Sequence, residues 1–224
     1  MSRKPLTLGA VIKDMVRREP LMGSHSGAGM KDLARWRFPT AAVLRAASLS
    51  PMGLGNVTSK SPLILCSESA GQGRSRQFCL VDVYQLALLT RLSLLTGRWS
   101  WSAEACNRLL LPDLYAHNPA PEYWPKIAQS PECATARAKL CEDPAANLPA
   151  LYTDRGEQPW FVFADERRLT GSIPELNFAR ADDGDRVLTE ILGGCAIINV
   201  TYFLDAVDLE LARQMGLKNE ALNA

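Results

Sequence analysis

The sequence predicts an α+β chain, with a basic helix-rich part followed by a smaller acidic α/β part. Three observations predict it. Between Pro39 and Arg98, two short helical patterns, a Gly- and Arg-rich turn and a longer apolar helical pattern follow one another. Strand-like apolar runs gather beyond residue 150, ahead of one last amphipathic helix. Charge divides the same way. The first 111 residues carry 15 Lys or Arg against 6 Asp or Glu, and the remainder carries 10 against 18. A basic half beside an acidic half suits a nucleic-acid-binding domain joined to a partner or effector domain.

The elements can be justified in order. Residues 6–18 predict a short amphipathic helix with Leu8, Val11, Ile12 and Met15 on one face. The run from Gly23 to Gly29 has the composition of a linker. Pro39-Thr40 opens a helix through Ala47, since proline suits a first turn and alanine is the strongest helix former. Ser48-Leu49-Ser50 turns the chain, and Ser50 before Pro51 is an N-cap pair for a second helix over 51–59. Ser61 to Cys66 and Arg76 to Phe78 predict two strands around Gly71-Gln72-Gly73-Arg74-Ser75-Arg76. Leu80 to Leu95 is a long apolar helix closed by Thr96-Gly97.

From Pro112 to Pro149 seven prolines interrupt the chain, and only 132–142 predicts a helix. Beyond lie a strand at 159–164, the start of another at Arg168-Leu169-Thr170, a turn at Asp182 to Asp185 and a strand at 195–200. The final helix, Val200 to Met215, places Val200, Phe203, Leu204, Val207 and Leu211 on one apolar stripe. The division expected is an N-terminal extension over 1–38, a first domain over 39–111, a Pro-rich connector over 112–150 and an acidic α/β domain over 151–224.

Helix, turn, helix, Arg-bearing hairpin and bracing helix is the order of a winged helix-turn-helix. The expected architecture is therefore an N-terminal winged helix-turn-helix followed by a small C-terminal α/β domain. The pieces Pro39-Thr40-Ala41-Ala42-Val43, Ala47-Ser48-Leu49-Ser50-Pro51 and Gly71 to Phe78, with Asp82-Val83 opening the next helix, resemble the DNA-binding domain of the MerR family. The form they resemble is the divergent one of bacterial and phage regulators, over about a quarter of the chain. Cys79-Leu80-Val81-Asp82 keeps the acid of that family's Ser-x-x-Asp capping box and lacks its hydroxyl. The family's arginine and aromatic are also missing from Gly53 to Thr58. The resemblance implies duplex DNA as partner. Asn56, Thr58, Ser59 and Lys60 would lie at the major groove, Arg74 and Arg76 on the wing, and Arg37 and Arg45 at phosphates.

Other chemistry finds little footing. His25 and His117, the two histidines, sit in a linker and a Pro-rich loop and assemble no nucleophile–base pair. Asp182, Asp183 and Asp185 imitate the start of a calcium loop without the remaining ligands. Gly71-Gln72-Gly73 lacks the context of a phosphate-binding loop. Trp99 and Trp101 suit core or interface anchors better than a base-stacking platform. The six cysteines are scattered without a C-x-x-C pair and are expected to be reduced and structural. Cys133 and Cys141 have a separation similar to the metal loop of the family's copper sensors. The helix-forming residues between them argue against a metal, and no cofactor is expected.

No apolar run approaches the roughly 18 residues of a membrane span, and no signal peptide is evident, so a cytoplasmic location is expected. The function expected is a non-enzymatic, DNA-binding transcriptional regulator. It would act as a homodimer through the Val200–Leu211 stripe, with a protein partner for the acidic half. The alternative is an adaptor or anti-activator that turns the same fold toward a protein instead of DNA.

Overall fold

The computed structural model describes residues 33–67, 75–97, 99–116, 123–153, 160–165, 176–180 and 195–216. Outside these lie the expected 6–18 helix, the 23–29 linker, His25, Gly71 to Arg74, His117, the Arg168–Thr170 strand and the Asp182–Asp185 turn. Among the described residues the fold is mixed α+β and mostly helical. None of the described helices is long and apolar enough to cross a membrane.

Strand β1 (Phe38–Pro39) leads directly into helix α1 (Thr40–Ala46). Ser48, with a φ of 53°, makes the tight turn that follows. Helix α2 (Pro51–Lys60) is capped as the sequence predicts: the Ser50 hydroxyl accepts from Gly53 N–H at 3.0 Å, with Pro51 in the first turn. Strand β2 (Gln77–Phe78) precedes helix α3 (Leu80–Thr96), which ends on Gly97 in the left-handed region at φ 66°. The long helix and its glycine stop match the expectation from the sequence.

The strand expected over Ser61–Cys66 does not form, and β2 pairs antiparallel with β1 instead, Phe38 opposite Phe78. The cause lies in who satisfies the backbone. Ile64 N–H donates to Asn107 Oδ1 at 2.8 Å, and Asn107 Nδ2 donates to the Pro62 carbonyl at 2.9 Å. One buried asparagine thus replaces a neighbouring strand. Asn107→Ala should therefore cost about 2 kcal/mol, because it strands a buried amide and a carbonyl. Urea denaturation checks this, and unchanged stability would mean that other groups hold the segment.

Asn107 belongs to helix α4 (Trp99–Leu110), which the sequence reading did not anticipate. It packs along α3, burying Trp101, Ala105, Cys106 and Leu109. In the Pro-rich region the helix expected over 132–142 is present, and the described residues add four short ones. The region folds as α5 (Pro112–Ala116), α6 (Trp124–Ile127), α7 (Pro131–Glu142), α8 (Pro144–Asn147) and α9 (Ala150–Thr153). Ser130 caps α7 by accepting from Cys133 N–H, and Asp143 caps α8 by accepting from Ala146 N–H, both at 3.1 Å. The prolines start these helices rather than end them.

A three-stranded antiparallel sheet follows, with β3 (Trp160–Asp165) between β4 (Leu176–Arg180) and β5 (Cys195–Asn199). Asn199 then caps helix α10 (Val200–Gln214), accepting from Tyr202 N–H at 3.0 Å. Helix α10 packs on α1, α3, α9 and β3. A single hydrophobic cluster runs from Leu33 and Phe38 through the α3 leucines, Cys133, Leu140 and Tyr152 to Val200 and Leu211. The expected boundaries near 112 and 150 do not divide this core. Inside it, Tyr84 stacks on Tyr152, with ring centroids 6.0 Å apart, and its hydroxyl donates to Asp208 at 2.7 Å. That bond joins α3 to the last helix.

Candidate functional site

Two groups of residues carry chemistry, and both border the segment between α2 and α3. The first is the outer face of α2. Leu54 and Val57 turn inward and are buried, while Asn56, Thr58, Ser59 and Lys60 are exposed. A methyl group at Gly55 would meet nothing within 4 Å, so the face is open there. Thr58 and Ser59 spend their hydroxyl protons on their own helix: Thr58 donates to the Leu54 carbonyl at 3.0 Å and Ser59 to the Gly55 carbonyl at 2.7 Å. The hydroxyl oxygens keep acceptor capacity. Arg45 is exposed on α1 and donates to Gln214 Oε1 at 3.1 Å, while exposed Arg37 precedes β1.

The second group surrounds Asp82, fully buried in the first turn of α3. Its carboxylate closes the expected capping interaction by accepting from Cys79 N–H at 3.2 Å. It also accepts from Ser67 N–H at 3.1 Å and from Cys66 N–H. A residue legible as a helix cap thus also fixes the chain on both sides of the Arg-rich turn. Arg76 reinforces this. Half-buried, it donates to the Ser67 carbonyl at 3.0 Å and lays its guanidinium 5.0 Å from the Phe78 ring centroid. Arg76 was expected to reach a phosphate; the structure commits it to bracing its own turn. Arg74 lies outside the described residues.

This bracing brings Cys66 and Cys79 together, and the end of α7 adds Cys141. The three Sγ atoms lie within 4.8 Å of one another, with Cys141 Sγ 3.9 Å from Cys79 Sγ. Cys66 and Cys79 are buried and Cys141 is half-buried. The thiols share protons unequally. Hydrogen bonding from Cys66 and then Cys79 holds the Cys141 thiol well below its ordinary range, with Arg37 and Arg137 adding positive charge. The same hydrogen bonding to Cys141, together with burial, pushes Cys66 and Cys79 up. Cys141 also lines an open groove of about 880 Å³ with Arg35, Arg37, Glu142 and Asp143. Arg37 Nη2 donates to the Cys141 carbonyl at 3.5 Å.

Cys133 and Cys141, whose spacing is similar to a metal loop but whose intervening residues predict a helix, are not brought together in the structure. Both sit in one helix, eight residues apart, which places them about 12 Å apart along its axis. Cys133 is fully buried in the hydrophobic core, and that burial raises its thiol. Nor does the structure leave the α10 stripe free for a second copy. Val200, Leu204, Val207 and Leu211 are buried within this chain, and Phe203 is partly buried beneath the Arg91 guanidinium, 5.2 Å from its ring centroid. The expected dimer face is core. Of the two tryptophans, Trp101 is buried as expected of an anchor, and Trp99 is exposed. No family model, curated protein or solved structure matches this chain.

Proposed function

We propose that the chain is a DNA-binding regulator that presents α2 to duplex DNA. The observation that carries this reading is the exposed, acid-free polar face of α2, set behind a tight turn and anchored in the core by Leu54 and Val57. Leu54 and Val57 belong to the same hydrophobic cluster as residues of α1, α3 and α10, so the opposite face of α2 is turned outward. Asn56 supplies an amide that can read a base edge, and Lys60 supplies a cation for a phosphate. Arg45 on the neighbouring helix and Arg37 ahead of β1 extend the positive surface. Arg74 completes the set, whereas Arg76 is left out because its guanidinium holds the turn.

Fluorescence anisotropy with labelled duplex DNA tests this. Binding should be tight at low salt and fall steeply as salt rises. Lys60→Ala should weaken binding to all sequences alike and reduce the salt slope by about 1. Asn56→Ala should instead flatten the preference among sequences, by about 1–3 kcal/mol at the site it reads. Absence of salt-dependent binding to any duplex, or a Lys60→Ala protein that binds like the parent, would sink the reading. The adaptor alternative would then follow for the same face, where Met52 is 78% exposed.

A further inference from the structure

We propose that Cys66, Cys79 and Cys141 bind one thiophilic d¹⁰ metal ion, Zn²⁺ or Cu⁺, which ties the segment after α2 and the start of α3 to α7.

The spacing of the sulfurs is the first argument. With a Zn–S bond of about 2.3 Å, sulfurs at the corners of a tetrahedron lie about 3.8 Å apart, and in a trigonal plane about 4.0 Å. The Cys79–Cys141 separation of 3.9 Å falls on those values, and the whole triad lies within 4.8 Å. A disulfide needs about 2.0 Å and uses two sulfurs, which leaves the third unexplained. Three soft sulfurs around one point suit Cu⁺ or Zn²⁺ and no hard cation.

Preorganisation is the second. The ligands come from three separate places: the segment after α2, the residue capping α3 and the end of α7. Two of them are fixed through their own backbone amides by the buried Asp82 carboxylate. Ligands held by bonds to their backbones lose little further freedom on coordination. Access is the third argument. Cys141 lines the groove, so an ion can reach the sulfurs from solvent and a water can complete a four-coordinate shell. The groove carries Arg35 and Arg37 together with Glu142 and Asp143, so its side-chain charges balance and do not repel a cation. Each S–H that becomes a ligand gives its proton to solvent.

Cys66 and Cys79 bracket the turn, and Cys141 anchors both to a different helix. A bound ion would therefore fasten Cys66 and Cys79, which Asp82 already joins through their amides, to α7. The ion would stabilise the fold through mass action, so the melting temperature should rise with free metal.

The test uses the full chain, reduced and stripped with a chelator. Titration with Zn²⁺ against a chromophoric chelator, and anaerobically with Cu⁺, should each show whether one ion per chain is held, and which ion more tightly. Cys66→Ser, Cys79→Ser and Cys141→Ser should each weaken binding by about 100-fold or more. Cys133→Ala, which removes the other thiol of α7, should leave affinity within about threefold. Should a serine variant fail to fold, X-ray absorption on the metal-loaded parent still decides, with three sulfur neighbours at about 2.3 Å expected. The proposal is overturned by failure to retain either ion, by a first shell dominated by oxygen or nitrogen, or by equal losses in Cys133→Ala and Cys141→Ser. None of these readouts depends on DNA binding.

Discussion

Asp82→Ala should lower the stability of the protein by about 4 kcal/mol, the largest loss expected from any polar substitution described here. The carboxylate is fully buried and accepts from three backbone amides, those of Cys66, Ser67 and Cys79. Hydrogen bonds to a charged acceptor contribute about 1.5–3 kcal/mol each, less when they share one group. Alanine also leaves the amides of Cys66 and Cys79 buried without a partner, which is the costly part. Asp82→Asn keeps the volume and one acceptor but turns an N–H toward an N–H, and should cost about 2 kcal/mol. Urea denaturation of the three proteins gives the ranking. A loss below about 1 kcal/mol for Asp82→Ala would mean that water takes over the carboxylate's role. The same substitution frees Cys66 from Cys79, so it should also reduce metal affinity without touching a sulfur.

The parts of the fold that local chemistry specifies were legible in the sequence. Ser50-Pro51 announces α2, Gly97 announces the end of α3, and the 3.6-residue stripe from Val200 announces α10; the structure has all three. The misses share another character, because each depends on a partner distant in the chain. Ser61–Cys66 reads as a strand since its apolar residues favour an extended backbone, and Ser61 itself is extended. What the sequence does not show is that Asn107 and Asp82 satisfy its amides, so that no second strand is needed. The prolines between 112 and 149 read as breaks when taken one by one. Proline at the first helical position carries the opposite meaning, and Ser130-Pro131 and Asp143-Pro144 are start signals of the same kind as Ser50-Pro51.

The candidate site was legible to a similar degree. Asn56 and Lys60 were expected on an exposed helical face and are found there. Arg76 was expected, from the family resemblance, on a wing that reaches DNA. Ser67 and the Phe78 ring, which capture it, lie on the two flanks of the turn and meet only when the turn closes. The thiol cluster was out of reach for the same reason. Cys79 and Cys141 are 62 residues apart and share no motif. The one metal-like spacing in the sequence, between Cys133 and Cys141, fails because an intact helix separates those sulfurs.

Leu204→Ala should cost about 3 kcal/mol, and the loss should not depend on protein concentration. Leu204 is fully buried, midway along α10, on the face that meets α1, α3, α9 and β3. Removing a buried leucine side chain costs about 2–5 kcal/mol, according to how far the neighbours close the cavity. The loss falls in the middle of that range, since Val207 and Leu211 continue the same packed stripe and can relax toward the gap. The substitution separates two roles that an amphipathic stripe leaves open. A core residue loses stability equally at any dilution, whereas an interface residue shifts an association equilibrium and so makes the midpoint concentration-dependent. Urea unfolding at two concentrations differing by about tenfold, with sedimentation to follow mass, distinguishes them. A change in mass with an unaltered monomer would return α10 to the interface role. The expected result instead makes α10 an internal support of α1 and α3, inside the cluster that also buries Leu54 and Val57 of α2.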